Sequence, residues 1–439
     1  MLDCLVIGAG LAGLQAARSL QEGGARVAVI EARDRVGGRT LSHREPGRTV
    51  DLGAQWLGAG QGRVETLAEA LGVATFPQFH EGRKLVELGD SLKSYDGTIP
   101  ALPVLSLLQL EATLHRAERA GRLVDVEEPW NSPHAAIVDG ETLGAWLSRS
   151  LPSAKARQTV ELALRIVFGA DADELSMLYV LAYAKGAGGL MKLMEVEGGA
   201  QQTRFVEGAQ SLSEGLAAGL DVRLDSPVTL VEQDTSGVRV NGERARFAVC
   251  CLPPPLVPRI QWDPVLPSAR DQLGQRSPMG TTIKCFAFYE RAFWRDRGCS
   301  GEGISDVGPA AFCIDASQPD GSHPALLSFL VGRHARTWGE APAAARKHAV
   351  LSQLARLHGP EALNPVEWLE RDWSQEPFSR GCPVAYMTPG TLTAYGRALQ
   401  QPFGRVHWAG TETATEWRGF MEGALQSGER AAAEVLVRL

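Results

Sequence analysis

The 439-residue sequence predicts an α/β plus α+β fold, with a parallel-sheet domain assembled from separated segments and a second domain of mixed sheet and helices. Three observations carry this expectation. A single hydrophobic core stops growing near roughly 250 to 300 residues, so this chain needs more than one. Its N-terminus reads as strand, glycine turn, helix and strand. After a helical middle, β-rich runs return and close in another strand, turn and helix.

Leu2 to Ile7 is a short apolar run without helical spacing; "GAGLAG" follows, and apolar residues then recur at helical intervals from Leu11 to Gly23. A second apolar run, Arg26 to Ile30, ends at Glu31. This is the length of a βαβ crossover, about 30 residues. From about Phe76 to Met194, helical patterns such as Leu105 to Arg122 and Ser153 to Phe168 alternate with proline-bearing connections, which predicts a mainly helical insertion. Strand character resumes in "VRLDSPVTLVEQ", "GVRVNG" and "ARFAVCCLPPP", where Pro253 to Pro255 stop the run, and in "TTIKCFAFYE" from Thr281. The last elements are a strand, a threonine-rich turn and a helix from Met421.

Bulk properties exclude several classes. Hydrophobic residues make up 44% and charged residues 22%, and no run of about 18 uncharged apolar residues occurs, so no membrane partner is expected. The N-terminal run carries Asp3 and lacks a basic flank, unlike a signal peptide. Seven cysteines are scattered without C-x-x-C pairing, which predicts a reducing cytoplasm and no metal site. A net charge of −7 without a basic stripe argues against nucleic acid.

Gly8, Gly10 and Gly13 stand in the G-x-G-x-x-G arrangement, which permits a tight turn, close backbone approach to a pyrophosphate and close helix packing. Glu31 ends the second strand, where a carboxylate can accept hydrogen bonds from a ribose diol; the competing reading is a solvated surface charge. By strand alternation Lys284 shares a face with Phe286 and Phe288, so its ammonium either finds partners on an apolar surface or guards a sheet edge. Cys382, between Gly381 and Pro383, is either a small inert thiol or a reactive one.

After the crossover, "EARDRVGGRT" and "DLGAQWLG" resemble the FAD-containing amine oxidase superfamily, and "WAGTETATEWRGFMEGALQSGERAAAEVL" resembles its flavin monoamine oxidases nearly residue for residue. The resemblance runs from Leu2 to Leu436. It implies a Rossmann-like FAD-binding domain from residues 1–76, 206–273 and 376–439, and a substrate-binding domain from 77–205 and 274–375. By the same resemblance, Arg33, Gly38 and Arg39 serve the phosphates or flavin edge, the backbone of Gly53, Ala54, Gln55 and Trp56 meets the isoalloxazine, and Val228 meets the adenine. Trp373, Gly410, Thr411, Glu412 and Met421 fall in flavin-contacting segments. Met421 begins a helix whose positive end suits the electron-rich edge of a reduced flavin.

The resemblance gives the reaction chamber Lys284, which holds a water beside the flavin, together with Phe420, Pro383 and Gln201, although Gln201 also reads as a plain polar loop residue. Cys382 matches the cysteine that carries the flavin as a thioether, and covalent attachment stays open beside the inert-thiol reading. The family's paired tyrosine cage is replaced here by Pro383 and Phe420, which predicts a pocket wide enough for bulky or alicyclic amines. The implied activity is oxidation of primary amines, with secondary ones left open, by O2 to an imine, then aldehyde or ketone, with release of peroxide. The same fold admits an amino-acid or polyamine oxidase, and a flavoprotein or isomerase that turns over no amine is the rival of another class. Membrane-bound relatives continue past the final helix, where this sequence stops. A homodimer is left open.

Overall fold

Leu2–Ile7 is the central strand of an eight-stranded sheet in the computed structural model, which describes residues 1–97 and 102–439. It pairs in parallel with Val27–Ile30 on one side and Glu243–Cys250 on the other, and Val406–Trp408 adds in parallel to the latter. Strands buried on both faces read as continuous apolar runs, which is why "LVI", "VAVI" and "FAVC" show no alternation. Helix Leu11–Glu22 leaves the first strand through the glycine turn and packs against the last helix, Met421–Leu436. Glycine at 13 is dictated by the close approach of this helix to the turn it leaves, because a Cβ there would lie 1.9 Å from the carbonyl oxygen of Gly8.

A second sheet of seven strands runs Glu367–Asp372, Thr282–Phe288, Ala325–Val331, Phe312–Asp315, Cys299–Ser305, Arg83–Leu88 and Ser91–Tyr95. Thr282–Phe288 pairs antiparallel with a strand on each side, so Lys284 guards no sheet edge. Helices Val104–Arg122, Ala154–Phe168 and Met177–Gly186 form the helical insertion. Ser153 caps one of them, accepting a hydrogen bond from the backbone of Ala156.

Two expectations need correction. The stretch expected to be mainly helical contains the hairpin Arg83–Tyr95, whose first strand buries Leu85, Val86 and Glu87 in succession and which turns at Gly89 and Asp90. The run "VRLDSPVTLVEQ" is not one strand but two, Asp221–Arg223 and Leu230–Gln233, which pair with different neighbours on either side of Pro227.

The strands of the first sheet lie within 1–76, 206–273 and 376–439, and those of the second within 77–205 and 274–375. A small sheet of Trp56–Leu57, Thr203–Phe205 and Thr75–Pro77 stitches the crossings together.

Candidate active site

A cavity of about 480 Å³ begins at the glycine turn and ends among the aromatic side chains of the insertion and second sheet. Its first end is built by the crossover. Gly10 precedes helix Leu11–Glu22 without a side-chain cap, so the first-turn N–H groups point outward with no intrahelical acceptor. Glu31 sits beside them, almost wholly buried. Its carboxylate accepts from the N–H of Ala9 (2.7 Å) and of Arg33 (3.0 Å) and pairs with the Arg33 guanidinium (3.2 Å). The surface-charge reading of Glu31 is thereby excluded. Val228 and Ser226 complete this end.

The middle is framed by Gly38 and Arg39, the backbone of Gly53, Ala54, Gln55 and Trp56, and Gly410 and Thr411. A second uncapped helix end meets the cavity here, because Met421 and Ala424 of Met421–Leu436 line it and Phe420 offers no cap. Arg39 is held in place from behind. Glu412 binds it through both oxygens (2.6 and 3.0 Å) and also accepts from the N–H of Ala385 (3.1 Å). Burial alone would raise the Glu412 pKa, but the Arg39 guanidinium outweighs it and holds the carboxylate below its ordinary value.

Lys284 reaches this region from the second sheet, 3% exposed. Its ammonium donates to the carbonyl oxygens of Asp51 (2.6 Å) and Gly53 (2.9 Å) and to Oε1 of Gln55. Three donors thus meet three protein acceptors, so the ammonium is engaged by the protein where it was expected to hold a water, and the residue ties the backbone of Asp51 and Gly53 to the second sheet. Burial lowers its pKa from 10.5 to about 7, despite the nearby Asp51 charge. Cys382 also lines the cavity. Burial pushes its thiol up to about 11, against the pull of Arg39 and Lys284.

Two expected ligands stand outside the wall. Trp373 is fully buried behind Leu52, donating its indole N–H to that carbonyl oxygen (2.8 Å), because the strand Glu367–Asp372 ends just before it and turns the ring inward. Glu412 likewise faces Arg39 and not the cavity. The other expected residues all line it.

The far end is apolar. Phe420 and Pro383 stand where expected, and Gln201 hangs by its amide nitrogen from the carbonyl of Leu193 (3.0 Å). Trp56 stacks on Phe329 at 5.7 Å. Sequence reasoning missed Tyr183, Ile166, Leu193 and Phe329, which complete the chamber. Among the described residues, Glu31 is the one carboxylate on the cavity wall, and no cluster of His, Cys, Asp or Glu could hold a metal.

The cavity fits a dinucleotide in three respects that belong to this structure. Two uncapped helix ends face it, a buried carboxylate sits at the ribose position, and the turn is pressed so close that only glycine fits at 13.

Comparison with known proteins agrees. The sequence model of the family "Flavin containing amine oxidoreductase" matches residues 11–436. The probable flavin-containing monoamine oxidase A of Dictyostelium discoideum is 37% identical over 448 residues, covering 100% of this chain and 98% of that protein. The flavin-containing amine oxidase A of Bos taurus is 37% identical over 99% of this chain and 85% of its own length. Among solved structures, cyclohexylamine oxidase from Brevibacterium oxydans superposes with a TM-score of 0.94 at 32% identity, covering 100% of this chain and 99% of that one. A redesigned putrescine oxidase superposes with a TM-score of 0.95, also at 32% identity, over 100% of this chain and 99% of that one. An α/β nucleotide crossover and an apolar chamber thus share one cavity, and the chain belongs to the flavin-containing amine oxidoreductase family as an FAD-dependent amine oxidase.

Proposed function

We propose that the protein oxidises neutral primary monoamines of the aryl-alkyl or alicyclic kind, with O2 as electron acceptor. The observation that carries this is the chamber formed by Ile166, Tyr183, Leu193, Phe329 and Phe420, an apolar wall without a carboxylate. A diamine would need an acid there for its distal ammonium, and an amino acid would need a free guanidinium. Arg39 is engaged by Glu412, and Lys284 by three acceptors. The relatives include both a cyclohexylamine and a putrescine oxidase, and the absent carboxylate favours the former kind of substrate. Pro383 leaves one wall low, which suits a ring.

A bound FAD would supply the two-electron oxidation: the amine would lose a hydride equivalent from its α-carbon and a proton from nitrogen to become an imine, O2 would take the two electrons and two protons as peroxide, and water would hydrolyse the imine to aldehyde or ketone and ammonia. The chain's own contribution is positioning and desolvation. Gly8, Gly10, Gly13, Glu31, Arg33, Arg39, Val228, Gly410, Thr411 and Met421 would hold the cofactor. Phe420 and Pro383 confine the amine, and burial in an apolar chamber favours its neutral form. Lys284 fixes the loop that carries Gly53 and Gln55. With seven free thiols among the described residues, a reducing cytoplasm suits the protein.

The test is anaerobic titration of the yellow protein, following absorbance near 450 nm. Bleaching by benzylamine and cyclohexylamine, with little by putrescine or amino acids, is the expected result. A sharp preference for slim unbranched amines would refute the wide pocket, and no bleaching by any amine would leave a non-oxidase flavoprotein.

A further inference from the structure

Tyr183 belongs to helix Met177–Gly186, an element apolar on every side, and it is 2% exposed. Its neighbour one turn earlier, Tyr179, behaves as a core residue and donates to the carbonyl oxygen of Ala385 (3.4 Å). Tyr183 differs. It lines the cavity, its ring lies 6.1 Å from that of Phe420, and its hydroxyl has no hydrogen-bond partner among the described residues. A buried phenol ordinarily finds a partner, so an open one on a cavity wall points to a ligand.

The backbone opposite makes room for this hydroxyl. A Cβ at Gly419 would come within 2.4 Å of it, so glycine there lets the phenol tip reach the wall beside Phe420. Other polar groups nearby are engaged: the Thr411 hydroxyl donates to the Phe420 carbonyl (2.9 Å) and accepts from Gly419 N–H (2.7 Å), and the Pro383 carbonyl accepts from Arg39 (2.8 Å). Behind the wall stands Arg418, 5% exposed, bonded through Nε to the Ala414 carbonyl (2.9 Å) and with Nη1 unpartnered among the described residues. Its guanidinium lies 6.0 Å from the Tyr179 ring. Among the described residues this guanidinium is bonded to no carboxylate, with Glu412 and Glu127 acting on it only at longer range, so it opposes a second positive charge in the chamber and favours a neutral amine, whose N–H needs an acceptor. Burial also holds the Tyr183 phenol well above its ordinary pKa, so it stays uncharged.

We propose that Tyr183 is the specificity-determining residue of the amine chamber: it supplies the aromatic wall that Pro383 does not, and its hydroxyl accepts a hydrogen bond from the substrate N–H. The proposal rests on the amine-oxidase reading above and adds a direction to it. Amines bearing an N–H are selected over tertiary amines of the same shape.

The experiment compares Tyr183→Phe with wild-type holoenzyme, using benzylamine and N,N-dimethylbenzylamine under anaerobic conditions. Dissociation constants come from the flavin spectral shift on binding and from the concentration dependence of bleaching. Loss of one buried hydrogen bond should weaken benzylamine about tenfold and leave the tertiary amine unchanged. Gly419→Ala, which crowds the hydroxyl, should reduce the same selectivity, and FAD content and thermal midpoint report whether either variant is damaged. Equal weakening of both amines, or no change in either, would overturn the proposal. An intact binding difference without bleaching in the wild type would instead sink the oxidase reading alone.

Discussion

Lys284→Met tests how deeply the ammonium is buried, through the pH dependence of stability. The folded pKa lies near 7 and the ordinary value at 10.5. Below about pH 7 the group is charged in both native and unfolded chains, and its burial opposes folding. Above about pH 10.5 it is neutral in both. Between these limits the unfolded chain holds one proton more, so stability rises with pH at about 1.4 kcal/mol per unit. From about pH 8 to about pH 9.5 Lys284 should therefore add about 2 kcal/mol, where methionine adds none. The variant also strands the acceptors on Asp51, Gly53 and Gln55, at about 1 to 3 kcal/mol each. That loss does not vary with pH, so it lowers the whole curve and leaves its slope alone. Urea unfolding of both proteins at saturating FAD, followed by tryptophan fluorescence across this range, measures the difference in slope. Parallel curves would show that Lys284 titrates as a hydrated lysine and would refute the reasoning.

Glu412→Gln leaves Arg39 without its counter-charge; a loss of about 3 kcal/mol and a lower FAD occupancy are expected, read from the thermal midpoint and the 450 to 280 nm absorbance ratio. Gly13→Ala forces a Cβ against the Gly8 carbonyl and should yield colourless or insoluble protein; a yellow, stable variant would contradict the close approach described above. Acid precipitation decides the state of Cys382: with burial keeping its thiol neutral, flavin released to the supernatant is the expected outcome, whereas flavin retained in the precipitate by the wild type and released by Cys382→Ala would mark a thioether link. Lys284→Met should also slow turnover with O2 while FAD stays bound, and unchanged steady-state kinetics would remove Lys284 from the reaction.

The two ends of the cofactor cavity were legible because their chemistry is local. A glycine turn, its acid and an arginine-bearing loop lie within 40 residues, and backbone demands of that kind write themselves into residue type. Lys284 was legible for a different reason: a lysine amid Ile283, Phe286 and Phe288 violates the strand's pattern, and such violations mark function. Tyr183 carried no such mark, since in a helix buried on every face a phenol that meets a cavity looks the same in sequence as Tyr179, which meets the core. Trp373 and Glu412 were misplaced by one layer because sequence shows which segment comes near a site but not which way a side chain turns. The hairpin Arg83–Tyr95 escaped notice because it is short, half charged and stabilised by a strand some 200 residues away.

The central strand of the first sheet has consequences for synthesis. Leu2–Ile7 has one partner, Val27–Ile30, about 20 residues downstream, but its other partner, Glu243–Cys250, follows some 240 residues later, and Val406–Trp408 joins the sheet later still. At roughly 5 to 20 residues per second, the strand waits roughly 10 to 50 seconds for its second neighbour. More than half of the chain must therefore emerge before this strand is paired on both sides, so soluble yield should respond to translation rate and chaperone supply before it responds to any single contact in the finished enzyme.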